Sequence, residues 1–198
     1  MAIFNFPSIF PQTESLRYLS NTQVFESPLD KTVQTASLSG DQWSLSQSFV
    51  NLSRNNGSDL KAFLVSLKGP SGKAYITPYE AREPRGTVSG SPVVNGASQT
   101  GNSLVTSGWS VSQTVLKAGD YFEVNGEFKM VVSDVLSSGT GAATIQFEPA
   151  LRASPLNSEP LITDNPKCIM RLANNDQAQW QLSQTKKYSV NLEWIEAF

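Results

Sequence analysis

Residues 69–73, with the sequence Gly-Pro-Ser-Gly-Lys, have the residue types of a loop that binds nucleotide phosphates. In that loop the first glycine lies five residues before the glycine of Gly-Lys, and Ser or Thr follows the lysine. Leu67 and Ala74 occupy these two positions here, so the motif fails at both ends. Such a loop also joins a strand to a following helix, whereas the residues before Lys73 have the pattern of a helix. We therefore predict that Lys73 binds no nucleotide.

Four carboxylates in residues 120–134 could instead supply a pair of acids for glycoside hydrolysis, a reaction that needs two carboxyl groups at a fixed separation. They are Asp120, Glu123, Glu127 and Asp134. Asp120 follows a glycine and Glu127 follows an Asn-Gly pair, which is typical of turns and strand ends. We interpret the four as solvated side chains at such positions rather than as catalytic acids.

Histidine is absent from the 198 residues, and this excludes several kinds of active site. Without imidazole there is no Ser-His-Asp or Cys-His nucleophile, no His-ligated metal and no imidazole proton shuttle near pH 7. Lysine, tyrosine and paired carboxylates are the remaining candidates for catalysis. The single Cys168 cannot form an internal disulfide or build a zinc site alone, so we expect a buried thiol. The sequence predicts a protein that is not an enzyme, with no catalytic residue, metal or cofactor.

Tryptophan and arginine are the candidates for recognition of a ligand or partner. Four tryptophans could stack on sugar rings: Trp43, Trp109, Trp180 and Trp194. Three of them lie in alternating strand patterns and are expected in the core, whereas Trp109 lies in a Gly/Ser-rich stretch and is the best candidate for an exposed aromatic side chain. Four arginines flank turns, where they could contact another subunit or serve as ordinary surface charge: Arg82, Arg85, Arg152 and Arg171.

Composition places the chain among folded, strand-rich proteins. Hydrophobic residues make up 39% and charged residues 16%, so the chain is too apolar to be disordered. The net charge of −2 predicts no sequence-independent binding to nucleic acid or anionic lipid. Residues 1–12 have no positive leader and contain two prolines, so we expect neither a signal peptide nor insertion into a membrane.

One long helix is predicted at about residues 58–68. An apolar stripe runs along this segment at positions i, i+3, i+4 and i+7: Leu60, Phe63, Leu64 and Leu67. Ser58 suits the N-cap, and Gly69 suits the left-handed position that closes a helix. Pro70 forbids continuation of the helix.

The remaining segments have a period close to two, which is typical of strands with one buried face. Residues 43–52 and 188–198 alternate most clearly, and we predict that they are core strands of one sheet system. The second of these would be a central strand, so its removal should be costly. Residues 16–27 and 30–39 also have the composition of strands and are separated by a proline.

Residues 85–113 differ in texture, because they are rich in Gly, Ser, Thr and Asn, and residues 85–155 as a whole predict four to six short strands. The Asn-Gly pair at 125–126 is the strongest hairpin signal in the chain. A two-residue loop there would pair Val124 with Glu127 and mix apolar and charged side chains on one face. A three-residue loop would pair Val124 with Phe128 and gather the apolar side chains, so we favour the longer loop or a bulge.

These patterns together predict a mainly β protein built of two parts. Residues 1–84 plus 156–198 form a discontinuous β-sandwich domain that contains the helix. Residues 85–155 form an inserted small β-barrel-like domain. A chain of 198 residues suits this plan of one domain carrying a smaller insert.

Six short segments between about residues 40 and 198 are informative when their order and spacing are taken together. They are AFLVSLKGPSGKAYI, PRGT, NGASQTGNSLVTSGW, LKAGDYFEV, DVLSSGTGAATIQFEPALRASP and MRLANN. In this order they resemble a family of tail proteins of long-tailed bacteriophages, described as distal tail (baseplate) or minor tail proteins. The first 40 residues contribute little to the resemblance.

The resemblance implies a structural virion protein, made in the host cytoplasm and located at the tail tip, with no catalytic residues to carry over. Such proteins form a ring, expected here to be a hexamer, that joins the tail tube to the central hub. The implied partners are therefore copies of the chain itself, the tail tube protein, the tail hub and other minor tail proteins. The alternative function is that of a β-sandwich carbohydrate-binding module that aids attachment to the host surface.

Overall fold

The computed structural model describes residues 3–198, which form sixteen β-strands and one α-helix. The fold is mainly β and sandwich-like, with curled sheets, and the predicted fold class is confirmed. The elements are β1 (Ile3–Asn5), β2 (Thr13–Leu19), β3 (Thr22–Glu26), β4 (Val33–Ser37), β5 (Gln42–Leu52), α1 (Arg54–Leu67), β6 (Lys73–Ile76), β7 (Gly90–Val94), β8 (Gly101–Trp109), β9 (Thr114–Leu116), β10 (Tyr121–Val124), β11 (Glu127–Val131), β12 (Val135–Leu136), β13 (Ala143–Leu151), β14 (Cys168–Leu172), β15 (Trp180–Leu182) and β16 (Tyr188–Glu196).

The larger sheet has seven strands in the order β1-β6-β14-β16-β5-β2, with β15 pairing separately with β16. Strands β5 and β16 are antiparallel neighbours, and Trp194 lies opposite Leu45. The prediction that residues 43–52 and 188–198 supply two core strands of one sheet is therefore confirmed. Strand β16 lies between β14 and β5, as predicted for a central strand.

Helix α1 begins four residues before the predicted start. Its N-cap is Ser53, not Ser58, and the Ser53 hydroxyl accepts a hydrogen bond of 3.2 Å from the backbone N–H of Asn56. The predicted start was wrong because the first turn, Arg-Asn-Asn-Gly, has low intrinsic helix propensity and carries no apolar stripe. Tertiary packing compensates, since Gly57 is buried against the ring of Tyr188.

We expect the substitution Gly57→Ala to destabilise the protein, although alanine in a helix is intrinsically better than glycine by about 1 kcal/mol. A Cβ atom at Gly57 would lie 2.5 Å from Cδ2 and 2.8 Å from Cβ of Tyr188, too close for the ring to accommodate without moving. Overpacking of this kind typically costs about 1–3 kcal/mol. Urea denaturation measures the loss, with exposed Asn55→Ala as the control that keeps its stability. A Gly57→Ala protein more stable than the parent would contradict this packing.

The helix ends where the sequence indicates, but the left-handed turn begins one residue early. Lys68 has φ 54° and ψ 48°, and Gly69 follows with φ +70°. The backbone N–H of Lys68 donates to the carbonyl of Val65, which closes the last turn. Strand β6 then starts at Lys73, whose ammonium donates to the backbone carbonyl of Phe198. The order is helix followed by strand, the reverse of a phosphate-binding loop.

The second sheet has five strands in the order β10-β11-β13-β8-β7, and β9 and β12 form a small pair beside it. All seven strands lie within residues 90–151, one more than the upper limit predicted for the insert. The additional elements are very short, since β12 has two residues and β9 has three. Side chains from this region form a core of their own, which includes Val115, Ile145 and Phe147. The domain boundary itself stays a prediction.

The hairpin of β10 and β11 has the two-residue loop, so the predicted longer loop or bulge was wrong. Val124 lies opposite Glu127, and Phe122 lies opposite Lys129. Residues 125 and 126 both have positive φ, 52° and 73°, as a type I′ turn requires. The prediction assumed that one face of the ribbon meets water, whereas every residue of β10 is buried.

This ribbon lies between the two cores, and its alternating side chains divide between them. Tyr121 and Phe128 pack in the core of the larger sheet, where their rings stack with centroids 5.1 Å apart. Phe122 and Val124 pack in the core of the smaller sheet. Trp43 from β5 contacts the first face, and its indole N–H donates to the carbonyl of Phe128. The two cores are thus joined through one hairpin buried on both faces.

Candidate functional site

Strands β3 and β4 form an exposed hairpin, residues 22–37, which we call the arm. All ten residues of its two strands are exposed. Exposed apolar side chains include Val24 (62%), Phe25 (58%) and Val33 (57%). Within residues 3–198 the arm is a separate two-stranded sheet, and neither of its outer edges pairs with another strand.

Local interactions specify the conformation of the arm. The strands pair in simple register from Thr22 opposite Ser37 to Glu26 opposite Val33. At the tip, the Asp30 carboxylate accepts hydrogen bonds from the backbone N–H and the hydroxyl of Thr32. A hydrogen bond from the Ser27 side chain and those from Thr32 lower the pKa of Asp30, and the bond from Ser27 contributes most. The turn chemistry therefore explains how the two strands of the arm are joined and aligned.

Apolar side chains occupy both faces of the arm. Val24 and Val33 point to one face, and Phe25 points to the other, because successive residues alternate and Glu26 lies opposite Val33. An isolated two-stranded hairpin is only marginally stable in water. Open strand edges with exposed apolar side chains are templates for pairing with another chain. The arm has both features, open strand edges and exposed apolar side chains.

Strand β2 provides a second open edge, in the body of the protein. It ends the larger sheet and pairs on one side with β5. The arm follows β2 after a connection of two residues, and the backbone N–H of Leu38 donates to the carbonyl of Asn21 at its base. The free edge of the sheet and the arm are therefore adjacent along the chain.

The structure does not bring Glu123 and Glu127 together as a catalytic pair. Glu127 lies opposite Val124 in the β10–β11 ribbon, so Glu123, one residue earlier, points to the other face. Glu123 is buried and accepts a 2.8 Å hydrogen bond from the backbone N–H of Lys167. Burial raises the pKa of Glu123, an effect that this hydrogen bond partly offsets.

Glu127 belongs instead to a buried network of charges. Its carboxylate accepts a 2.6 Å contact from the ammonium of Lys129, whose side chain is fully buried, and hydrogen bonds from the backbone N–H groups of Arg152 and Ala153. Burial alone would raise the pKa of Glu127, but these donors outweigh it and the pKa lies below its ordinary value. Burial lowers the pKa of Lys129, while Glu127 opposes that shift.

The network continues into the larger sheet through Arg152. Its guanidinium donates to both carboxylate oxygens of Glu196, at 3.1 and 3.3 Å, and to the carbonyl of Asp41. Glu196 also accepts a hydrogen bond from the backbone N–H of Trp43. Burial raises the pKa of Glu196, and Arg152 counteracts the rise. The network links β11 to β16, the central strand of the larger sheet, and has a structural role.

The remaining two carboxylates also accept structural hydrogen bonds. Asp120 is buried, and its oxygens accept from the backbone N–H groups of Arg85, Gly86 and Lys117. Asp134 accepts from the backbone N–H of Ala118. The interpretation of all four carboxylates as solvated was therefore wrong for Asp120 and Glu123, which are buried, and for Glu127, whose side chain is only 11% exposed. The turn-like sequence context concealed their burial.

The tryptophan prediction fails at its main point. Trp109 is only 4% exposed, and its indole N–H donates to the Thr106 hydroxyl at 2.7 Å in the core of the smaller sheet. Trp43 and Trp194 are buried as predicted. Trp180 is half-buried instead, and the ammonium of Lys61 lies 4.4 Å from its ring centroid. Glycines around Trp109 mark close approach of strands rather than a surface loop, because a Cβ at Gly108 would meet the Ser91 carbonyl.

The four arginines differ in their surroundings. Arg85 pairs with Asp120, Arg152 pairs with Glu196, and Arg171 donates to the carbonyl of Leu172. Arg82 lies between aromatic rings, and its buried Nε has no hydrogen-bond partner. Their predicted contacts with another subunit stay a prediction.

Cys168 is fully buried, as predicted, and burial raises the pKa of its thiol well above the ordinary value. Among residues 3–198, no three histidine, cysteine or acidic side chains are placed to hold a metal ion. In the same part of the chain, no helix has the length and apolar character needed to cross a membrane. Neither result identifies a reactive centre.

A scan against protein-family models finds no match. A search of curated proteins finds no matching sequence either.

Proposed function

We propose that the chain is a structural component of a bacteriophage tail tip, a distal tail or baseplate ring protein that joins the tail tube to the central hub. One observation carries the proposal: the arm, with apolar side chains on both faces and two unpaired edges. The order of sequence segments that resembles tail proteins supports the same function. Its partners are copies of itself, the tail tube protein and the tail hub.

A ring explains why such a hairpin is present in an otherwise well-packed subunit. In cyclic assembly each copy uses the same two different surfaces, one to contact the preceding copy and one to contact the next. Closure of the ring then leaves no open edge for further growth. The arm supplies one such surface without weakening the subunit, because its own hydrogen bonds are local.

The burial of Trp109 removes the best candidate residue for the alternative function, carbohydrate binding. Stacking on a sugar ring requires an exposed aromatic face, and Trp109 is buried with its N–H already bound. We therefore retain the alternative only as an outcome of the experiment below, in which a monomer that binds polysaccharide would support it.

The test removes the apolar surface of the arm while keeping the backbone. We expect the double substitution Val24→Ser and Phe25→Ser to weaken assembly by about 2 kcal/mol or more, a loss of more than about tenfold in affinity. Light scattering after size-exclusion chromatography gives the mass, and negative-stain images show whether rings form.

The matched control places the same kind of change on other exposed apolar residues. Val65 on the helix is 59% exposed and Leu156 is 72% exposed, so Val65→Ser with Leu156→Ser removes a similar apolar surface elsewhere. This control should form the same assembly as the parent. A parent that stays monomeric with tail tubes present, or an arm variant that assembles normally, would refute the proposed function.

A further inference from the structure

A cavity of about 260 Å³ lies beside the connection between β1 and β2. Two cationic side chains line it, Arg82 and Lys167. Four ion pairs occur among residues 3–198, and neither cation takes part in one. The cavity therefore carries positive charge that no carboxylate of the described chain neutralises by direct contact.

Arg82 is held in a fixed position although it has no anionic partner. The central carbon of its guanidinium lies 4.5 Å from the ring centroid of Phe10 and 5.2 Å from that of Tyr79. Both rings are largely exposed, at 58% and 65%. Contact with a ring face leaves the N–H donors of a guanidinium free, and their fork matches the two oxygens of a carboxylate.

The acidic residue that lines the cavity, Glu14, already accepts two hydrogen bonds. Glu14 accepts a 2.7 Å hydrogen bond from the side-chain amide of Gln47 and a 2.6 Å hydrogen bond from the backbone N–H of Tyr79. Among the ion pairs of residues 3–198, none within 4.0 Å joins Glu14 to Arg82. The buried Nε of Arg82 is the one buried side-chain N or O atom of residues 3–198 that lacks a partner. A buried donor without a partner is rare in native structures, and an acceptor that reached it would satisfy it.

A wider cleft of about 640 Å³ continues from this cavity along strand β2. Phe10, Leu16 and Tyr79 give it apolar walls, and Arg82 lines both spaces. Two carboxylates also line the cleft, and both already accept hydrogen bonds: Glu14 from Gln47 and Tyr79, and Glu80 from the hydroxyl of Tyr121 at 2.8 Å. The outer edge of β2 is open within the described chain. An extended peptide that follows such an edge gains main-chain hydrogen bonds and places alternate side chains in adjacent pockets. A free inorganic anion would not pack against the apolar side chains of the cleft.

We propose that this cleft binds an extended peptide segment of a partner protein, with an acidic side chain of that segment bound by Arg82 and the flanking apolar side chains packed on Phe10 and Tyr79. Lys167 adds a second positive charge at the cavity. No residue that lines the cleft belongs to the arm, and binding of the peptide there does not require the proposed ring. It can therefore be tested on the isolated subunit whether or not rings form.

The experiment titrates the ¹⁵N-labelled protein with two blocked peptides, acetyl-Val-Glu-Val-amide and acetyl-Val-Gln-Val-amide. The Nε–H cross-peak of Arg82 is assigned from its absence in Arg82→Gln. We expect this cross-peak to shift saturably with the glutamate peptide, whereas the glutamine peptide should bind at least roughly tenfold more weakly, because a charge-assisted hydrogen bond is lost. Arg82→Gln should lose binding by a similar factor.

Three controls make each outcome decisive. Arg17→Gln removes an exposed arginine of β2 that lines neither cavity, and it should bind the glutamate peptide like the parent. Lys167→Gln provides a second variant in case Arg82→Gln fails to fold, and it should weaken binding more than Arg17→Gln does. Equal binding of both peptides, equal binding of free succinate and the glutamate peptide, or full binding by a folded Arg82→Gln protein would each overturn the proposal.

Discussion

A chain that lacks residues 190–198 should not fold. The deletion removes most of β16, the strand between β14 and β5, and with it the buried side chains of Val190, Leu192 and Trp194. The loss of Trp194 alone, as in Trp194→Ala, costs about 3–5 kcal/mol. The free energy of unfolding of a domain of this size is only about 5–15 kcal/mol in total. The loss of most of β16, with three buried side chains, is therefore expected to exceed it.

Circular dichroism and tryptophan fluorescence of the purified protein measure this loss. The control is a longer deletion in another place: residues 22–37 are replaced by Gly-Gly between Asn21 and Leu38, whose backbones are already hydrogen-bonded. That protein should unfold with a transition close to that of the parent, because the arm contributes no residue to either core. A folded, soluble protein without residues 190–198 would refute the role assigned to β16.

The second large effect is expected from Glu127→Gln, at about 3 kcal/mol of unfolding free energy at pH 7. The substitution removes the negative charge beside the fully buried ammonium of Lys129 and leaves it with neutral acceptors only, such as the carbonyl of Ala150 at 2.8 Å. Removal of one member of a buried ion pair is costly because the other charge remains in a poorly solvated site. Chemical denaturation gives the free energy directly. Combining the change with Lys129→Met should recover part of the loss, because no unpaired charge then remains.

The effect of Glu127→Gln should depend on pH in a defined direction. Hydrogen bonds lower the folded-state pKa of Glu127 below its ordinary value of 4.5, so the unfolded chain takes up a proton first as the pH falls. The carboxylate's contribution to stability is therefore complete above pH 4.5 and is lost as the pH falls through the folded-state pKa. The difference between parent and variant should be largest at neutral pH and should shrink in acid.

An exposed pair of the same chemistry is the matched control. Glu26 and Lys31 on the arm are 2.9 Å apart, but both side chains are largely exposed to water. Glu26→Gln should change the stability by at most about 1 kcal/mol, because water solvates the remaining lysine. If Glu127→Gln were as mild as Glu26→Gln, the buried network would not have the structural role described here.

The candidate assembly surface was only partly predictable from sequence. Residues 16–27 and 30–39 were predicted as strands; β3 and β4 lie within them, and β2 begins three residues earlier, at Thr13. Their composition did not indicate that β3 and β4 pair only with each other within the described chain. The stacked arrangement of Phe10, Arg82 and Tyr79 was not predicted either, because more than sixty positions separate the first two along the sequence.

The amino-acid sequence by itself determined the mainly β class, the approximate helix and the two core strands at 43–52 and 188–198. These are local properties, since a period of two or of 3.6 residues states which face of a segment is apolar. Only the tertiary structure decided the helix start, the two-residue loop at 125–126 and the burial of Trp109. Each depends on what covers a segment from outside. Residues distant in sequence contribute the second buried face of the hairpin, the ring that packs on Gly57 and the strand close to Gly108. A local sequence pattern therefore cannot predict these features.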